Sequence, residues 1–188
     1  YESLIATEPK LSDSAAGRVL KFASRQIQHD DRFYRLLSSM SKRSDPDLLP
    51  LVIGELMVKG WPGSVERCIE LIDHADPGVQ VFAVDQLASI KHKAAQPYLI
   101  RRLGIEQRQA TPNSLAFRIK LINAIARLGG EGAVSPLIES LDYQDQHKYA
   151  LDGLRLVGMP AVKHAVLMLT TAQGDRIETA FRILEHIR

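Results

Sequence analysis

One pattern recurs along the chain and limits what it can fold into: an apolar stripe whose members are spaced by four and then three residues. Ala83, Leu87 and Ile90 carry it in VFAVDQLASI, and Leu121, Ile125 and Leu128 in RIKLINAIARLGG. Ala150, Leu154 and Val157 repeat it, and Ala180, Leu184 and Ile187 close the series. Such spacing returns side chains to one face of an α-helix, which must bury that face against a neighbour. Alternating β-branched runs bounded by hairpin turns do not occur, so the pattern predicts an all-α chain.

Each striped segment is preceded by another, over about Ser64–His74, Ala95–Ile105, Ala133–Leu141 and Ala161–Leu169, anchored at Ile72, Leu103, Leu141 and Leu169. Between partners lie polar turns: DHADPG at 73–78, TPNS at 111–114, YQDQ at 143–146 and GD at 174–175. Asp76 before Pro77, and Thr111 before Pro112, read as an N-cap and first helical residue. Asp175 with Glu178 has capping-box form. Gly129 and Gly158 sit just after the stripe in the middle two repeats, where helices stop. The second repeat carries a longer linker, IEQRQATPNS, while its helices keep their pattern, as repeats tolerate insertions in loops. Upstream, 31–42 and 46–59 form a more degenerate pair, and 14–28 a lone helix after an irregular lead at 1–12. The expected organisation is therefore one continuous domain: 1–12 lead, 13–62 one helix plus one pair, and 63–188 four repeats.

The phrases AVSPLIESL and YALDGLRLVG, with Ala161-Val162 opening the next repeat, resemble HEAT-like repeats, in particular those named after phycobilisome lyases. The resemblance covers about 64–188 and, more degenerately, 31–62. It implies a right-handed α-solenoid of about five helical pairs, with second helices lining the concave side. Most members of that family are scaffolds or adaptors; some are subunits of pigment-attaching enzymes, and one branch acts on damaged DNA. Two departures stand out. DPGVQ has Gln80 where the family's lead-in has Arg, and DQHKY in the third repeat lacks the proline.

Composition restricts function more than it assigns it. The 24 basic and 22 acidic residues leave a net charge of +2, without the clustered excess of a phosphate-binding surface. The single cysteine, Cys68, lies among Val65, Ile69 and Ile72 and reads as a buried hydrophobe. No apolar run of about 18 residues is present, so no membrane span is expected. No signal peptide is read, and a cytoplasmic location is expected. The chain opens on Tyr1 rather than Met, which suggests a piece of a longer protein.

The Asp73–Asp76 stretch DHAD is the most metal-like cluster, but it is better read as a helix end followed by a cap; Gln28–Asp31 is a similar polar turn. His147 and His164 lie on different helices with no carboxylate motif. No catalytic, metal or cofactor set is therefore assigned, and an enzyme is not expected. The expected activity is that of a non-catalytic protein-binding scaffold. Its outward row lies two residues after the first stripe position, at Asp85, Asn123, Asp152 and Arg182, with Arg155 from the row five after; Ala88 and Ala126 also fall in that second row. The charges along these rows are mixed. The alternative is a nucleic-acid-binding module built on Arg101, Arg102, Arg118, Lys120 and Arg127, and the third a non-catalytic subunit of a larger enzyme. Trp61 is either a packing anchor or an exposed hot spot, and Tyr143 and Tyr149 pose the same choice. The last helix carries Ile177, Phe181, Ile183, Leu184 and Ile187, more than one buried face uses, which predicts that it docks another repeat or chain.

Overall fold

The computed structural model describes residues 37, 39–41, 46–58, 60–109, 114–171 and 174–187. The lead at 1–12, the helix expected over 14–28, the polar turn at 28–31, most of 31–42 and the Thr111-Pro112 cap lie outside the described residues. Those residues contain nine α-helices and no strand: α1 Leu49–Val58, α2 Ser64–Glu70, α3 Pro77–Ser89, α4 Gln96–Arg108, α5 Leu115–Leu128, α6 Val134–Glu139, α7 His147–Val157, α8 Met159–Thr171 and α9 Asp175–Ile187. The chain divides into two compact units, Tyr1–Gln86 and Leu87–Arg188, with the division inside α3.

In the first unit α1 packs on α2, burying Leu49, Val52, Ile53 and Leu56. The turn into α3 forms as its sequence predicts. The Asp76 carboxylate accepts the Val79 backbone N–H at 3.1 Å, satisfying one of the donors a helix start leaves open. His74 Nδ1 accepts the Asp76 N–H at 3.0 Å, and Gln80 donates its amide to the His74 carbonyl. The DHAD side chains at 74 and 76 thus build the turn. Cys68 is fully buried, with its Sγ 3.5 Å from the Ala83 carbonyl, to which it donates. Burial pushes its thiol up to about 12 from an ordinary 9.0, because a thiolate there would lose its hydration.

In the second unit α4 pairs with α5, α6 with α7 and α8 with α9, while α5 packs on α7 and α7 on α9. Leu121, Ile125 and Leu154, three stripe residues, are completely buried. Gly129 and Gly158 follow α5 and α7 with φ of 65° and 73°, the left-handed region that glycine enters without a Cβ penalty. The Gln96 amide donates to the Gly129 carbonyl at 3.0 Å, tying the start of α4 to the end of α5. First helices are more broken than their spacing suggests. The six residues of α6 sit between 3-10 turns at Glu131–Ala133 and Ser140–Asp142, and the Ser140 hydroxyl bonds back to the Pro136 carbonyl at 2.8 Å, a side-chain competitor to the helix ladder.

Three expectations need correcting. Ile90 does not complete the stripe of its helix: it is 45% exposed. Here α3 stops at Ser89 and Lys91 takes a φ of 52°, so the chain turns away before Ile90 can face inward. Ala88 and Ala126, expected to point outward, are both buried. Ala126 lies beneath α7, because a Cβ built on Gly153 would come within 3.2 Å of the Ala126 Cβ and of Leu137 Cδ2. Finally, Glu178 does not close a capping box; its carboxylate takes Arg182 one turn further on, at 2.6 Å.

Two outcomes follow from this packing. Gly153→Val should lower stability by roughly 1–3 kcal/mol through overpacking at the α5–α7 crossing, read as a shift in the denaturant midpoint. Cys68 should resist thiol labelling at pH 8 in the native protein and react fully once denatured. Its folded pKa lies above the unfolded one, so the stability it contributes is fully present below about pH 9 and declines towards pH 12.

Candidate functional site

The α5–α7 crossing explains a groove on the surface of the second unit. With Ala126 and Gly153 at the contact, the two backbones approach closely, and the surface above them is left short of side chains. A groove of about 530 Å³ results, lined from α5 by Asn123, Ala126 and Arg127 and from α7 by Asp152, Gly153, Arg155 and Leu156. Counted from the first stripe residue of each helix, Leu121 and Ala150, these include the same positions: two after (Asn123, Asp152), five after (Ala126, Arg155) and six after (Arg127, Leu156). Residues so spaced share one helical face.

The groove's charges are unevenly committed. Asp152 Oδ1 lies 3.0 Å from Nε2 of His186 on α9. Arg127 and Arg155 are exposed, and neither has a hydrogen-bond or ion-pair partner among the described residues. Elsewhere Arg67 pairs with Glu70, Arg102 with Glu106 and Arg182 with Glu178. Leu156, 62% exposed, adds an apolar wall.

Of the residues expected to contact a protein, the structure brings Asn123, Asp152 and Arg155 together in this groove. Asp85 belongs to the first unit, half-buried. Arg182 is exposed on α9 and engaged with Glu178. Sequence reasoning missed Leu156 and His186 and placed Arg127 only in the nucleic-acid set; the position six after the stripe start would have found all three.

The nucleic-acid set divides. Arg101, Lys120 and Arg127 are exposed. Arg102 lies over the Phe117 ring, 5.5 Å from its centroid, and holds Glu106 at 2.7 Å. Arg118 is a correction: it is 3% exposed and bound to Asp145 at 2.9 Å, so it offers no charge to a phosphate. It belongs to a buried polar network. The Gln107 amide donates to Ser140 Oγ at 3.0 Å and to the Gln146 side-chain Oε1 at 2.9 Å, and Gln146 adjoins Asp145. His147 Nδ1 lies 3.0 Å from the Leu141 carbonyl. These bonds fix the turn from Ser140 to Gln146 onto α4 and α5.

Other surfaces are less connected to this geometry. Trp61 is half-buried and lines a cavity of about 360 Å³ with Pro62, Glu66, Arg67 and Glu70. Tyr149 is 37% exposed, and Tyr143 is half-buried. His164 lines a hollow of about 220 Å³ with Glu139, Asp142 and Arg176. On α9, Ile183 is buried but Phe181 is 54% exposed, and it joins Val162, Leu184 and Ile187 around an apolar hollow of about 400 Å³. No described helix is long and apolar enough to cross a membrane.

No family model matches the chain, and no curated protein does. Among solved structures it is similar to the crystal structure of an engineered protein from the Northeast Structural Genomics Consortium. That likeness has a TM-score of 0.54 at 15% identity and covers 99% of this chain and 95% of the other. It speaks to the helical fold alone.

The Arg118–Asp145 pair makes an asymmetric prediction. Asp145→Ala leaves a guanidinium buried without its anion and should cost about 1–3 kcal/mol, less than the loss for a fully enclosed pair because Asp145 is 42% exposed. Arg118→Met, which removes the buried charge and keeps much of the side-chain length, should cost less. Urea unfolding of both variants checks the order.

Proposed function

We propose that the chain is a non-catalytic protein-interaction module of HEAT-like type, a right-handed α-solenoid whose second helices form the binding face. The observation that carries this reading is the groove of matched positions on α5 and α7, with exposed polar and charged side chains around an apolar floor. The row of second helices in the second unit, α5 on α7 and α7 on α9, supports the solenoid part. A scaffold needs a surface of mixed character, in which shape and charge pattern select the partner.

A nucleic-acid-binding role is the second reading, favoured by the exposed Arg101, Lys120 and Arg127. One feature weighs against it: Arg118 is withdrawn into an internal ion pair, which removes one of the charges a phosphate backbone would use.

Affinity capture from the native cell with wild type and with Asn123→Trp, which fills the groove, tests the first reading. Proteins retained by wild type and lost by a variant of unchanged circular dichroism are the expected result; the same proteins held equally by both would remove the groove from the reading. In the same protein, DNA or RNA affinity that is measurable at low salt and falls steeply with added salt would favour the second.

A further inference from the structure

We infer that the α5–α7 groove takes an acidic peptide segment carrying a large apolar side chain, an inference that rests on the protein-binding reading above. Three observations on the groove lead there. First, Arg127 and Arg155 both line it, and among the described residues neither has a counter-ion. The arginines at 67, 102, 118 and 182 are each already neutralised by a carboxylate. Two exposed guanidinium groups on one groove, each a fork of donors, suit side-chain carboxylates.

Second, the one carboxylate in the groove is partly engaged. Asp152 Oδ1 faces His186 Nε2 at 3.0 Å, which leaves the two arginines as the dominant charges there. Third, the remaining lining is small or apolar. Ala126 and Gly153 leave the hollow, and Leu156 stands 62% exposed beside it, so an apolar side chain entering between the helices would desolvate it. Asn123 supplies an amide with both a donor and an acceptor for a peptide backbone. A nucleic-acid strand would use the arginines as an acidic peptide does, but would gain little from Leu156. The apolar wall beside the two arginines therefore favours the acidic peptide.

Fluorescence anisotropy with three labelled probes of similar length tests this: an amphipathic Glu/Leu peptide, its Lys/Leu counterpart, and a single-stranded oligothymidylate. The Glu/Leu peptide should bind about tenfold or more tighter than either other probe. The double variant Arg127→Glu/Arg155→Glu should lose about tenfold or more of that affinity, and Lys163→Glu, an exposed change on α8 outside the groove, should retain it. Equal circular dichroism of the variants excludes misfolding as the cause. Preference for the Lys/Leu peptide or the oligonucleotide, or a double variant that binds as wild type does, overturns the inference. Failure here while Asn123→Trp still loses captured proteins would discard the acidic partner alone; failure of both would discard the protein-binding reading with it.

Discussion

In the second unit α7 meets α5 closely at Gly153, and both the packing and the surface groove there depend on that contact. A Cβ at Gly153 would stand 3.2 Å from Ala126 and from Leu137, so the absence of one side chain lets three helices, α5, α6 and α7, converge. Beneath that contact Leu121, Ile125, Leu137 and Leu154 are fully buried, each contributing roughly 1.5–3 kcal/mol. Above it the same lack of side chains leaves a hollow. One pair of small residues thus joins successive helical pairs and forms the groove.

Polar side chains set the geometry that the apolar stripe leaves open. Apolar burial is non-directional and would tolerate several helix offsets, whereas hydrogen bonds to buried groups tolerate few. The Gln107–Ser140–Gln146 set and the Arg118–Asp145 pair fix the turn between α6 and α7 on α4 and α5. At the next joint His186 meets Asp152. In the first unit, His74, Asp76 and Gln80 serve within a single turn. The stretch that most resembles a ligand cluster when read along the chain, DHAD, is there the means by which a helix is started.

Much of the helical organisation was legible because the four-then-three spacing and its breakers are local properties. The Asp76 cap and the stops at Gly129 and Gly158 need only the chain's own backbone geometry, and all three occur where the pattern puts them. Legibility failed where a neighbour decided the outcome. Ile90 has a stripe residue's spacing, but the helix ends before it. Ala126 lies on a face that counting from Leu121 marks as outward, yet α7 covers it. Arg118 was grouped with surface cations, and the turn carrying Asp145 draws it inside.

The candidate site divides in the same way. By itself the sequence determined that the described residues are helical, and that Asn123 and Asp152 occupy equivalent positions on their helices with Arg155 one turn beyond Asp152, since these depend on periodicity alone. Only the tertiary structure decided that α5 and α7 lie close enough for those positions to join Arg127 and Leu156 around one groove. It also decided that Arg127 and Arg155 would keep exposed charges while other arginines were consumed by ion pairs. The reason is physical: periodicity specifies which face a side chain occupies, but its partners are set by the distance between helices. In the second unit that distance depends on the volume missing at Ala126 and Gly153.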